Sequence, residues 1–284
     1  MLSVKPRTVT STRDHMPITL QDIADETRKA VDVARVDRPL STLQSEVACL
    51  PPARDFFEAV TAPSGQSAVQ VIAEFKRSSP SGGEIRIGAD PADIAKQYEN
   101  AGAVAISCLT DGPFFGGSIG DLAAIRDAVR LPILRKDFMI DPYQVWEARA
   151  AGADAVLLIS ELLDDEQLVG LSTLADDLGL TTLVEVHDLD NLHRVKPLLK
   201  SRQLLGVNNR NLRTMSTDLA HIEGMLEHLA EHMHVLVCES GIRTADDVAR
   251  LRAQGIHRFL IGETLLRADD PGQALLDMCV VEDT

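Results

Sequence analysis

Val71-Ile-Ala-Glu-Phe-Lys-Arg-Ser-Ser-Pro-Ser-Gly-Gly-Glu84 is the stretch around which the chain is organised. Val71, Ile72 and Ala73 read as a buried strand that continues from Ala68-Val69-Gln70. Glu74 and Lys76 follow, two residues apart. Alternate side chains of a strand share a face, so these opposite charges stand side by side. A purely apolar strand face does not tolerate them; a polar cavity at the strand's end does. Ser-Ser-Pro-Ser-Gly-Gly then makes a loop able to bring hydroxyls and bare backbone to an anion. A strand edge with a surface ion pair and a flexible turn is written in the same letters, so the rest of the chain decides.

Working outward, a rhythm sets in from residue 69. Apolar, β-branched strands recur roughly every 20 to 30 residues, each followed by a helical pattern. Their expected starts are Val69, Ala103, Pro132, Asp154, Thr181, Gln203, Val235 and Ile256. Near-continuous apolar strands alternating with helices predict a parallel sheet buried on both faces. Ala101-Gly-Ala, Ala151-Gly-Ala and Gln254-Gly-Ile each put a glycine just past a helix, the usual C-terminal cap. Eight such units over about 200 residues predict an α/β fold, the TIM (β/α)8 barrel. A doubly wound sheet is the alternative, but no Gly-x-Gly-x-x-Gly follows the first strand.

Before the barrel, Ile18-Thr-Leu-Gln-Asp-Ile-Ala opens a helix that Thr19 or Asp22 caps. A polar stretch with Pro39, then Pro51-Pro52 and a short helix over 55–60, completes an N-terminal helical extension over 18–65. Residues 1–17 are expected to be a disordered tail, and 18–284 a single barrel domain. The tail lacks the apolar segment of a secretory signal.

The chain has 284 residues, is 45% hydrophobic and 25% charged, and carries a net charge of −15. That balance argues against nucleic acid or an anionic membrane as partner. A phosphorylated small-molecule substrate then has to be held by a local cluster of cations and N–H groups. No apolar run is long enough to span a bilayer. Cys49, Cys108, Cys238 and Cys279 are widely spaced and read as reduced thiols of a cytoplasmic protein.

Catalysis in this fold sits at the C-terminal ends of the strands. Those ends carry Glu74 and Lys76, then Lys136, then Glu185, then Asn208 and Arg210, then Glu239 and Ser240, and last Gly262 and Glu263. Glu185 stands between Val184 and Val186; facing the mouth is far cheaper for it than lying under the helices without a partner. Ser240-Gly241 and Gly262 occupy the phosphate position common in this fold. The loop after the second strand brings Phe115, and the third strand is followed by Phe138. Ile159-Ser160-Glu161 receives no role. His228-Leu-Ala-Glu-His232 matches an inverted zinc-protease pattern, but lies in the helix between strands six and seven, outside the barrel, so no metal is expected.

These residues together resemble the indole-3-glycerol phosphate synthase family. The resemblance covers about residues 18–270 and rests on Ile72-Ala-Glu-Phe-Lys-Arg-Ser-Ser-Pro-Ser81, Leu109-Thr-Asp with Phe114-Phe-Gly-Gly-Ser118, and Leu134-Arg-Lys-Asp-Phe-Met-Ile-Asp141. It rests equally on Leu183-Val-Glu-Val-His187, Gly206-Val-Asn-Asn-Arg-Asn-Leu212, Glu239-Ser-Gly-Ile242 and Ile261-Gly-Glu263. Many members carry Lys after Ser-Pro-Ser, where this chain has Gly82 and so one cation fewer. The resemblance implies a barrel with extra N-terminal helices. It also implies a reaction that closes the ring of 1-(2-carboxyphenylamino)-1-deoxyribulose 5-phosphate with loss of CO2 and water, in tryptophan biosynthesis and without a cofactor. It implies catalytic roles for Glu74, Lys76, Lys136, Glu185, Asn208 and Glu239, with either lysine as the acid. Substrate contacts fall to Ser79, Ser81, Phe115, Phe138, Arg210, Ser240, Gly241, Gly262 and Glu263. A monomer or weak homo-oligomer is expected. Two competing readings are a phosphoribosylanthranilate isomerase-like enzyme, which needs a Cys and Asp pair, and a barrel that binds a phosphorylated ligand without catalysis.

Overall fold

A computed structural model describes residues 19–62, 69–80, 82–211 and 216–279. Among them eight parallel strands close a barrel: β1 (Gln70–Phe75), β2 (Ala105–Leu109), β3 (Ile133–Lys136), β4 (Ala155–Ile159), β5 (Thr181–Val186), β6 (Gln203–Asn208), β7 (Leu236–Glu239) and β8 (Arg258–Ile261). Each strand pairs with its sequence neighbours, and β1 closes on β8 with Ile72 opposite Leu260. The TIM barrel expected from the apolar rhythm is thereby observed. The strands begin up to two residues later than the apolar runs, because the chain first completes a helix cap. Gly102, Gly152 and Gly255 adopt φ of +87°, +94° and +90° there, a conformation glycine takes without a Cβ penalty.

The strands are apolar on both faces because helices cover the outside and packed side chains fill the inside. Ile72, Ala105, Ile106, Leu134, Leu158 and Leu204 are fully buried. The carboxylates on the strands gather at the C-terminal ends, where Glu74, Glu185 and Glu239 are buried together with Asn208.

Three helices precede the barrel: α1 (Leu20–Asp37), α2 (Leu40–Val47) and α3 (Phe56–Thr61). Thr19 and Asp22 cap α1 reciprocally, each side chain taking the other's backbone N–H, so both residues expected as caps serve. Ile23, Phe56 and Val60 join the barrel core. Val31, Leu43 and Tyr143 form a second cluster that seats α1 and α2 on the barrel's flank. The tail expected over residues 1–17 lies outside the described residues. No helix among the described residues is long and apolar enough to cross a membrane.

Candidate active site

The C-terminal mouth holds a cavity of about 590 Å³. Strand alternation decides what enters it. On β3, Leu134 and Lys136 point inward while Arg135 points outward to Asp137 and Glu147, at 3.0 and 2.8 Å. On β5, Glu185 points inward between two valines buried under the helices. Glu74, Lys76, Lys136, Glu185, Asn208 and Glu239 all line the cavity.

Their contacts form two groups. Lys76 Nζ stands 2.6 Å from Glu74 Oε1. Lys136 Nζ lies midway between two carboxylates, 3.4 Å from Glu185 Oε2 and 3.4 Å from Glu239 Oε2. Asn208 Nδ2 donates to Glu185 Oε1 at 3.0 Å, and Asn208 Oδ1 accepts the Arg210 N–H at 3.0 Å. Burial pushes the Lys136 ammonium down, but Glu185, Glu239 and Glu74 outweigh it and hold the group above its ordinary value, so it stays charged. Burial likewise acts to raise the Glu74 carboxyl, and Lys76 and Lys136 overcome it and bring it below its ordinary range. Gly262 is part of this arrangement: a Cβ there would come within 2.4 Å of Glu74 Oε1.

One wall is aromatic. Phe115 and Phe138 line it with ring centroids 6.1 Å apart. Asp111 holds the Phe115 loop by accepting the N–H groups of Phe114 and Phe115 at 2.7 and 3.2 Å. Burial raises the Asp111 carboxyl to about 6, against the pull of those two N–H groups.

The opposite wall is backbone. Ser240 has φ of +63°, the one non-glycine residue with positive φ among the described residues, and Gly241 follows at +87°. Ser240, Gly241 and Gly262 line the cavity here, so their backbone is what this wall presents to a ligand. Gly262 caps the short helix Glu263–Arg267 beside it. The Glu263 carboxylate leans on Arg267 at 2.9 Å and lies 3.8 Å from Arg210.

Two expected contacts are not in this group. Ser79 is buried and its Oγ accepts the Gly82 N–H at 3.0 Å, so the hydroxyl serves the turn and does not line the cavity. Ser81 lies outside the described residues. Gly82 does line the cavity, and its carbonyl accepts from Arg267 Nη2 at 2.7 Å. Ile23, which reaches the mouth from α1, was not among the expected site residues. Thr217 also escaped notice; its Oγ1 accepts from Arg210 Nε at 3.2 Å. A lone apolar residue on an amphipathic helix and a lone threonine in a loop carry no readable signal.

His228 and His232 lie on the outside, as expected. His228 stands against His193 at 3.3 Å, and no group of three metal-ligating side chains occurs among the described residues. Cys238, the cysteine an isomerase-like Cys and Asp pair would use, is buried away from the cavity beside Asn209, and burial pushes its thiol up to about 12.

With this geometry in place, the chain's relatives become informative. The family model described as indole-3-glycerol phosphate synthase matches residues 20–278. The chain belongs to the indole-3-glycerol phosphate synthase family. It is 47% identical over 251 residues to the indole-3-glycerol phosphate synthase of Rhodopirellula baltica, covering 88% of this chain and 95% of that one. It is 43% identical over 259 residues to that of Albidiferax ferrireducens, covering 91% and 97%. Among solved structures it is similar to thiamine phosphate pyrophosphorylase from Pyrococcus furiosus, with a TM-score of 0.55, 16% identity and coverage of 75% and 95%. It is also similar to 3-hexulose-6-phosphate synthase from Salmonella typhimurium, with a TM-score of 0.53, 13% identity and coverage of 74% and 96%. At those identities the structural likenesses bear on the fold alone.

Proposed function

We propose that this protein converts 1-(2-carboxyphenylamino)-1-deoxyribulose 5-phosphate to indole-3-glycerol phosphate, CO2 and water, as a carboxy-lyase of tryptophan biosynthesis. Family membership supports the reaction. The observation that carries the residue roles is one inward ammonium, Lys136, set between Glu185 and Glu239 and facing an aromatic wall.

The aromatic carbon that bears the carboxylate attacks the ribulose carbonyl, whose oxygen needs a proton as the bond forms. Lys136 supplies it. Loss of CO2 restores the aromatic ring and leaves a hydroxyl on the new ring. Losing that hydroxyl as water takes one proton to the oxygen and removes one from the carbon next to nitrogen. Glu185 is the base for the second transfer. Lys76, held by Glu74, takes the substrate carboxylate. Phe115 and Phe138 flank the anthranilate ring, and Asn208 meets a sugar hydroxyl. The phosphate goes to the N–H groups of Ser240, Gly241, Gly262 and Glu263, near Arg210, with the Glu263 carboxylate kept away on Arg267. All the steps are proton transfers and carbon–carbon chemistry, which need no metal or organic cofactor. The four described cysteines are all free thiols, which supports a cytoplasmic home.

The test is to incubate the protein with the carboxyphenylamino-deoxyribulose phosphate and follow indole fluorescence. A rise abolished by Lys136→Met supports the reading, and the absence of any product overturns it. Phosphate soaked into crystals belongs at Ser240 and Gly262; an anion bound elsewhere at the mouth, with none there, removes the phosphate assignment.

A further inference from the structure

Three carboxylates and two ammonium groups share the inner mouth. Glu74 takes Lys76 at 2.6 Å. Lys136 is left to serve both Glu185 and Glu239 at equal distances of 3.4 Å. The two competitors are not equally provided for. Glu185 also accepts from Asn208 Nδ2 at 3.0 Å. Glu239 is 1% exposed, and neither of its oxygens receives a hydrogen bond among the described residues. An ionised carboxylate so buried, with only a shared ammonium at 3.4 Å and no hydrogen bond, is strongly disfavoured, and taking up a proton relieves it.

The site is shaped for this carboxyl. Gly206 on β6 lies in register with Glu185 on β5 and Val237 on β7. A Cβ at Gly206 would come within 2.2 Å of Glu239 Oε1. The missing side chain is the space the Glu239 carboxyl occupies, and any substitution drives it off Lys136 and Glu185. The charged groups that face it are Glu185 from β5, Lys136 from β3 and, farther off, Glu74 from β1. Burial and the Glu185 charge push the Glu239 carboxyl well above its ordinary range, against the pull of Lys136.

We propose that Glu239 holds a proton in the resting site, shared with Glu185, and that this pair is the acid and base of the water-losing step. The Glu239 proton moves to the departing hydroxyl; the carbon–oxygen bond breaks and its electron pair leaves on water. The proton on the carbon next to nitrogen moves to Glu185, and the carbon–hydrogen electrons form the indole double bond. The pair ends with as many protons as it began, and one transfer from Glu185 to Glu239 restores the resting state. The use of the proton rests on the reaction proposed above; its presence at rest does not.

Infrared difference spectra of the substrate-free protein and of Glu239→Gln, near neutral pH, test the resting state. Expected is a protonated-carboxyl stretching band, sensitive to deuterium oxide, that the Gln variant lacks while its ionised-carboxylate bands are unchanged. Loss of an ionised-carboxylate band in the variant overturns the proposal. Glu185→Gln is the second arm: with Lys136 free to serve Glu239 alone, the protonated band disappears, and a band that persists there places the proton elsewhere. In turnover, Glu239→Gln lowers kcat on the order of 10²-fold and accumulates a decarboxylated species one water heavier than the product. An unaccumulated intermediate with normal kcat overturns the catalytic half. If the wild-type protein makes no indole at all, the reaction is wrong and the infrared result still stands or falls by itself.

Discussion

At the N-terminal end of the barrel, Asp154 is wholly buried and fully engaged. Its carboxylate accepts the Arg54 N–H at 2.7 Å, Arg126 Nη1 at 2.7 Å and the Ile133 N–H at 2.9 Å. Arg54 continues the network to the carbonyls of Val129 and Leu131 at 2.9 and 2.8 Å. At the C-terminal end, Glu239 is as deeply buried and receives no hydrogen bond. Both ends remove charge from water, which is expensive. The lower end offsets that with donors placed around each oxygen, and the groups have nothing left to offer a ligand. The upper end leaves carboxylates sharing one ammonium, which is poor for stability and suited to moving protons. Underpaired charge in a cavity marks chemistry; fully paired charge in a closed layer marks architecture.

The largest effect that tests this contrast is at Lys136. Lys136→Met keeps much of the side chain's length and removes the proton, so kcat is expected to fall on the order of 10² to 10⁴. Substrate affinity is expected to change less, because the proposed ring and phosphate contacts remain. Lys136→Arg does not restore the rate, since a guanidinium holds its proton too firmly. Steady-state rates with a binding titration decide it; near-normal kcat in Lys136→Met moves the acid to Lys76. Asp154→Ala is the counterpart at the other end. It strands Arg126 and two amides, and stability drops by about 3 kcal/mol, read as a lower denaturant midpoint, with kcat of the folded protein unchanged. A variant as stable as the parent but slow would break the division between the two ends.

Much of this was legible in the letters, and the reason is physical. The barrel strands are apolar on both faces, so any charge at their C-terminal ends stands out; Glu74, Lys76, Lys136, Glu185 and Glu239 were visible for that reason and all reach the cavity. Alternation puts Lys136 and Arg135 on opposite faces of their strand, and the structure turns Lys136 inward and Arg135 outward. The placement of Ser79 was not legible, because a hydroxyl in a Gly-rich loop looks the same whether it faces a ligand or, as here, accepts the N–H of its own turn. Gly206 was silent because its meaning lies on the neighbouring strand, in the carboxyl that fills its place. The outward-facing Glu161, left without a role, takes the His187 N–H at 2.7 Å and ties the end of β4 to that of β5.

A smaller effect concerns the loop that carries the aromatic wall. The Asp111 carboxyl sits at about 6 in the folded protein because burial opposes its charge. In the unfolded chain it reverts to about 3.9. Between those values the folded state binds more protons than the unfolded one, so this group's contribution to stability falls as pH rises from about 4 to about 6, and is constant above. The full shift corresponds to about 3 kcal/mol, and solvent screening at this partly open loop brings the loss below that. Asp111→Asn still accepts the two N–H groups and has no proton to lose, so its stability curve lacks that decline. Denaturant titrations of both proteins across this pH range measure the difference. Parallel curves would show that the mouth loop, like the lower network, holds its carboxylate without penalty.

The smallest expected effect is that of salt on kcat/KM, and it concerns how far the mouth's charges reach. The chain as a whole carries −15, so its distant field repels an anionic phosphosugar, while in the proposed site Lys76, Lys136 and Arg210 attract it only once it has entered. Lys76 and Lys136 are each paired with carboxylates inside the cavity, and Arg210 lies 3.8 Å from Glu263. Seen from outside, each cation is largely cancelled by its partner. At about 0.15 M salt the screening length is about 8 Å, so the distant repulsion is already damped and the short internal contacts are hardly touched. Raising the salt further is expected to change kcat/KM by less than about twofold, against the steep loss shown by sites that gather substrate through a long-range field. Rates measured at constant pH over a salt series check this. A steep fall would mean that the cations at the mouth project beyond their partners, and that the upper end captures its substrate from a distance.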